Sequence, residues 1–306
     1  MFAYAIKRIL QIIPVLLVIS FLVFFMVHLM PGDPVQTMLG TEATPEQVEI
    51  YREALGLNDP IHIQYFNYMK GLLRGDMGTS FYTNNPVSQE IAERYPNTLK
   101  IAVLATMLAS ALGVTIGIAA AVKHNQFMDN LLMVLSMISV SMPSFFFALL
   151  LMLVFSQQLN ILPSLGLSSG LHYILPTLTL GLNAVGLISR TTRSAMLDVL
   201  RQDYIRTSKS RGIRKSKITF SHALKNALIP VVTVIGLRFG TLLAGATLTE
   251  TVFSIPGMGR FLVTSVLNRD YPSIQGCILV LASTYVIINT VVDLLYGFID
   301  PRIKYV

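Results

Sequence analysis

Six stretches of mostly apolar residues divide the chain, and the polar residues gather between them. They are Ile9–Leu29, Ile101–Val122, Leu131–Phe155, Tyr173–Ser189, Ala227–Thr249 and Gln275–Phe298. About 20 such residues in a helix cross the hydrocarbon core of a bilayer. The pattern therefore predicts six transmembrane helices and an all-α polytopic membrane protein. The fourth stretch is the weakest, because Pro176, Gly181, Asn183 and Gly186 interrupt it. Interior helices tolerate such residues where neighbours satisfy the freed backbone groups. In the third, Pro143 predicts a kink near Met142, since proline lacks the N–H that the preceding turn needs. The first stretch follows Lys7 and Arg8 as a signal peptide would, but it is longer than a signal core and no small-residue cleavage site follows. We read it as a retained first helix.

Composition agrees with this class. Of 306 residues, 53% are hydrophobic and 13% charged, against roughly 25% charged in soluble domains. The net charge of +7 does not point to nucleic acid, because no basic patch interleaved with aromatics occurs. The lone Cys277 excludes an internal disulfide, and no Cys/His cluster has metal-ligand spacing. Ten Lys or Arg residues lie between Arg190 and Lys225, with others at Lys7, Arg8, Lys123, Arg302 and Lys304. The opposite side has none in Gln157–His172 and only Arg260 and Arg269 in Val252–Ile274. Basic residues mark the cytoplasmic side, so both termini are expected there.

Three regions follow: residues 1–30 with the first helix, an external subdomain at 31–99, and a core at 100–306 that includes a cytoplasmic segment at 198–226. The subdomain carries nine acidic and four basic residues. Thr44-Pro45-Glu46-Gln47 has the form of a capping box with proline in the first turn, and Gly56 that of a helix stop. Asp59-Pro60 and Asn85-Pro86 repeat the cap-and-proline device. We expect about three short helices there, forming either a docking surface for a delivery protein or a cover for the bundle.

The 198–226 segment predicts a helix over Asp198–Ser210, a left-handed stop at Gly212, and a second run over Ser216–Asn226. A helix–glycine–helix elbow beneath a membrane is a shape another protein can grip; the alternative is a basic anchor that only fixes topology. Arg206-Thr207-Ser208-Lys209-Ser210-Arg211-Gly212, followed nine residues later by His222-Ala223-Leu224-Lys225, resembles the coupling motif of ABC-importer permeases. That motif is Glu-Ala-Ala, three residues, Gly, nine residues, Ile-x-Leu-Pro. Here Arg206 stands for Glu, Thr207 and Ser208 for the alanines, and the last four residues also depart, as in the dipeptide/oligopeptide/nickel branch. The segments 31–34, 75–81, 250–259, 269–272 and Asp300-Pro301-Arg302-Ile303 resemble the same branch, so the likeness spans nearly the whole chain.

The resemblance implies a type I ABC-importer permease architecture and a set of partners. These are a homologous second permease, two ATP-hydrolysing subunits and an external solute-binding protein, with the lipid bilayer around the permeases. It implies that Arg206, Thr207, Ser208, Gly212, His222, Ala223 and Leu224 couple to the ATPase. The chain has no G-x-x-x-x-G-K-[ST] phosphate loop, so ATP and Mg2+ are expected on the partner subunits, with no cofactor on this chain and no enzymatic activity of its own. The cargo stays open among dipeptides, oligopeptides, glutathione-like molecules and metal complexes such as nickel. The membrane is expected to be that of a bacterial or archaeal cell.

Charges within the apolar stretches are the remaining candidates. Arg238 lies about ten residues into the fifth helix, roughly 15 Å deep, where a charge costs at least ~2.5 kcal/mol and normally faces a cavity or a partner. It either lines the translocation pathway and attracts an anionic group, or forms a structural ion pair. Glu250, at the outer end of that helix, is a candidate for a pathway gate or a salt bridge. Asp293 is expected to have a structural partner. Gly113 with Gly117, and Gly236 with Gly240, permit close helix packing, either within the chain or against a partner. A stand-alone secondary transporter or channel is the competing class, although no inverted repeat is visible. An intramembrane enzyme would need a nucleophile–base pair or a metal constellation, and none is evident.

Overall fold

The computed structural model describes residues 2–40 and 43–299. Within these the regular elements are helices, with an isolated bridge between Thr79 and Pro86. In order they are α1 (Phe2–His28), α2 (Pro34–Leu39), α3 (Pro45–Ala54), α4 (Ile61–Leu73), α5 (Val87–Val122), α6 (Phe127–Ser141), α7 (Ser144–Leu151, continued by a π-helical stretch Met152–Gln158), α8 (Ile174–Leu200, preceded by a 3-10 turn Gly170–Tyr173), α9 (Asp203–Ser210), α10 (Lys215–Lys217), α11 (Leu224–Val252), α12 (Met258–Leu267) and α13 (Tyr271–Ile299). Five of the described helical stretches are long and apolar enough to cross a membrane, and the bent pair of α6 and α7 makes a sixth if it is counted as one span.

The bend is far sharper than a kink: the two arms of that pair diverge by 101°. Pro143 pushes Met142 into extended backbone (φ −79°, ψ 129°), which ends α6 at Ser141. The amide of Asn183 on α8 then donates to the carbonyls of Ser139 and Met142, each at 3.3 Å. One side chain thus satisfies groups that the break would otherwise leave bare.

The weak fourth stretch is the centre of the bundle. α8 packs against α5, α6, α7 and α11, and half of its most apolar window is buried. The residues that dilute its hydropathy are the ones its neighbours need. A Cβ on Gly181 would press on the Ala105 carbonyl, and one on Gly186 would overlap Ser136 and Val140. Gly113 and Gly117 of α5 lie against Ile188 and Thr192 of α8, and Gly236 and Gly240 of α11 lie against Val292 and Tyr285 of α13. Both small-residue pairs therefore face helices of this chain.

Between α1 and α5 lie three short helices, α2, α3 and α4, the number expected for this segment. Thr44 and Gln47 make the reciprocal capping box. Gly56 stops α3 at φ +66°, with its N–H on the Glu53 carbonyl and that of Leu57 on Arg52, a Schellman turn. The devices at Asp59 and Asn85 differ from expectation. Pro60 and Pro86 themselves occupy the extended N-cap position, and neither helix has a side-chain cap. Asn85 instead donates to Glu90 at 2.9 Å. Helix α8 runs on to Leu200, so Asp198 belongs to it and the loop helix is shorter than predicted. The expected second arm is not a separate helix: Lys215 to Val252 is continuous helix, with a π-helical stretch at Ile218–Ala223. The motif at residues 300–303 lies outside the described residues.

Candidate coupling surface and pathway residues

α9 has eight residues, too few to hold a helix in water without tertiary support. Its seat is Ile205, fully buried with Met196, Ile118, Ile218, Ala223 and Ala227. Burying such a side chain contributes about 1.5–3 kcal/mol. The Tyr204 hydroxyl accepts from the Asn226 amide at 2.8 Å, a second tie to α11. At its end the N–H of Gly212 meets the Lys209 carbonyl and that of Ile213 meets Ser208, with Gly212 at φ +73°. This is the Schellman stop that the sequence predicted, and it turns Ile213 back against the same apolar cluster.

The polar face of α9 sorts itself by reach. Thr207 and Ser208 donate to their own helix, to the carbonyls of Asp203 and Tyr204 at 3.1 and 2.8 Å. Arg206, Lys209 and Arg211 extend outward and are exposed. Arg206 sits 3.7 Å from Asp203, but both are open to solvent, so the pair contributes little. The structure separates the other coupling candidates from this face. Ala223 is buried against Ile205, and His222 and Leu224 are half-buried in the floor beneath α9. Their geometry is that of a mount for the helix; the outward surface belongs to α9 itself.

Glu250 takes a place that the sequence did not suggest. It is fully buried. Its carboxylate accepts from Thr98 Oγ1 at 2.5 Å and from the N–H groups of Gly259 and Arg260 at 2.7 and 3.1 Å. Thr98 Oγ1 in turn accepts from the Met258 N–H at 2.8 Å. A side chain from α11 and another from α5 thus cap the first turn of α12, where free N–H groups and the helix dipole favour an anion. A Cβ on Gly257 would occupy the carboxylate's position. The group is a joint between three helices. Asp293 pairs with Arg8 of α1 at 3.0 Å, both partly exposed. Arg238 is half-buried, and no carboxylate among the described residues pairs with it.

The scattered motifs at 31–34, 75–81 and 269–272 come together in space. Ser80 donates to the buried Asp270 at 2.5 Å, and the Phe81 N–H donates to it at 2.9 Å. Gly78 lies beside Pro272, Gly32 against the Arg269 guanidinium. Asp33 caps α2 through the Val35 N–H at 3.0 Å and pairs with Arg52 at 2.5 Å. Arg52 is held even more firmly protonated by that carboxylate. Among the ion pairs that sequence reasoning missed is a long-range one between Asp129 and Arg193, 64 residues apart.

The described residues thus form an apolar helical bundle with a short basic helix seated against one end. The inward-facing MetNI methionine ABC transporter has a chain of the same fold, with a TM-score of 0.60 over 69% of this chain and 96% of that one at 16% identity. An amino acid ABC transporter crystallised with histidines gives 0.52 at 15% identity, covering 71% and 95%. Residues 113–305 match the family described as binding-protein-dependent transport system inner membrane component, and residues 1–102 match the description of its membrane component's N-terminal part. The chain belongs to this family: it is a membrane-embedded permease subunit of an ATP-driven importer, in which ATP hydrolysis is carried by separate subunits. It is 45% identical to the glutathione transport system permease protein GsiC of Salmonella typhimurium, with all of both chains covered. It is 44% identical, again over the whole of each chain, to the dipeptide transport system permease protein DppB of Alkalihalophilus pseudofirmus.

Proposed function

We propose that this chain forms, with a homologous second permease, the path by which small peptides or peptide-like solutes such as glutathione enter a bacterial or archaeal cell. Both termini and α9 face the cytoplasm, as the ten basic residues of the loop favour. Two ATP-binding subunits grip α9 there and hold ATP and Mg2+. A solute-binding protein delivers cargo on the side of the α2–α4 subdomain. The observation that carries this reading is the seating of α9: one buried anchor, Ile205, with a basic face turned away from the bundle. A lever needs both a fixed root and a free surface.

Closure of the ATPase pair presses on α9 and rocks the bundle. To reverse a two-state population from 1:99 to 99:1, ATP must favour one state by about 5.5 kcal/mol. Arg238 is a charge within a span without an acidic partner among the described residues, and it offers its guanidinium to a cargo carboxylate. The cargo class rests on the full-length likeness to permeases named for glutathione and dipeptides. Reconstitution tests it. Vesicles holding this chain, its partner permease and the ATPases take up glutathione or dipeptides only with ATP and the binding protein present. Uptake by this chain alone, without ATPase, would instead establish a stand-alone transporter.

A further inference from the structure

α6 and α8 run antiparallel, and polar contacts tie them along the full length of α6. At the loop end Arg193 lays its guanidinium fork on Asp129, Nε to Oδ1 at 2.6 Å and Nη2 to Oδ2 at 2.7 Å. Asp129 is fully buried. Its Oδ2 also accepts from the Asn125 N–H at 3.0 Å and lies 3.3 Å from His124 Nδ1, which is 3.1 Å from Arg193 Nη2. One turn further, Ser189 Oγ donates to Ser136 Oγ at 3.0 Å. Next, Gly186 brings its backbone against the Ser136 carbonyl. At the far end Asn183 holds the carbonyls of Ser139 and Met142. These α8 positions, 183, 186, 189 and 193, share one face of the helix. Beyond Pro143 the character changes. α7 turns away by 101° and meets the bundle through Ala148 and Leu151 in the main apolar cluster.

We propose that Asp129 and Arg193 are positioning residues for coupling: they bolt α6 to α8, so that α6 moves with α9 as one body and the chain flexes at Met142–Pro143. Directional contacts resist sliding, because a buried carboxylate that loses its partner is left uncompensated. Apolar contacts such as those of α7 are non-directional and tolerate reorientation. The bidentate fork explains the choice of arginine, whose fixed geometry a lysine does not reproduce. The link to transport rests on the reading of α9 as the ATPase-facing helix, whereas the joint motion of α6 and α8 does not.

Spin-label distances in the assembled transporter test it. Labels at Met128 and Arg201 report α6 against α8; labels at Met137 and Phe146 report α6 against α7. In the wild-type background the first distance stays the same between nucleotide-free and ATP-bound states while the second shifts. Arg193→Gln broadens the first distribution and lowers cargo moved per ATP by about tenfold, the change that 1.4 kcal/mol produces. Arg193→Lys gives a partial loss. A wild-type Met128–Arg201 distance that changes as much as Met137–Phe146 overturns the proposal, and so does an Arg193→Gln transporter with unchanged distances and coupling. If Arg193→Gln fails to assemble, the wild-type distances alone decide. Failure of the α9 reading would show separately, as an α9 that never contacts an ATPase while the distances still behave as stated.

Discussion

Gly212 gives the cleanest perturbation of the elbow. It sits at φ +73°, and a Cβ built on it meets nothing within 4 Å. Any substitution there is therefore penalised by backbone conformation alone, without a steric clash. For an L-residue with a Cβ the left-handed region costs roughly 1–2 kcal/mol, and a β-branched side chain is a sharper outlier. Asn tolerates the region through its local hydrogen bonding. The opposing term is the burial of Ile205, about 1.5–3 kcal/mol, so the penalty is of the same size as what seats α9. Each 1.4 kcal/mol changes the docked population about tenfold. The expected order of ATP-coupled uptake is Gly, then Asn, then Ala, then Val, with Gly212→Val at least about tenfold down. Membrane insertion and assembled amount stay at wild-type level, because α9 lies outside the spans. The assay is uptake and ATP hydrolysis measured together in vesicles. Wild-type coupling in Gly212→Val, or Asn as damaging as Val, would refute the left-handed stop as the device that sets α9.

Glu250→Ala leaves the Gly259 and Arg260 N–H groups and the Thr98 hydroxyl without their acceptor; at ~1–3 kcal/mol for each buried unsatisfied group, it lowers the melting temperature of the purified protein. Glu250→Gln, which keeps one acceptor oxygen, has a smaller effect, and an unchanged melting temperature for the alanine variant would remove the three-helix joint. Arg238→Ala weakens uptake of carboxylate-bearing cargo more than that of the same cargo amidated, read as the ratio of KM changes; equal effects would strip Arg238 of its role.

The spans were legible because about 20 consecutive apolar residues have few other uses, and the stop at Gly212 because only a left-handed position calls for glycine after a short basic helix. What escaped was everything set by tertiary partners. Pro143 announces a break, but the 101° angle depends on Asn183, about forty residues later, being there to satisfy the exposed carbonyls. Glu250 reads as an intramembrane charge because its partners include Thr98, 152 residues away. Small residues at Gly113 and Gly236 announce close packing without naming the helix they meet. Asp59 and Asn85 were misread because proline's fixed φ is compatible with the extended cap position itself, so no side-chain cap was required.

The direct measurement is cross-linking from α9. Cysteines placed singly at Arg206, Lys209 and Arg211, in a background where Cys277 is replaced, should capture an ATP-binding subunit in the membrane, and the capture should change when ATP is bound. Cysteines at the buried Ile205 should not. Should none of the outward positions ever trap such a subunit while cargo still crosses on ATP, α9 is not the lever.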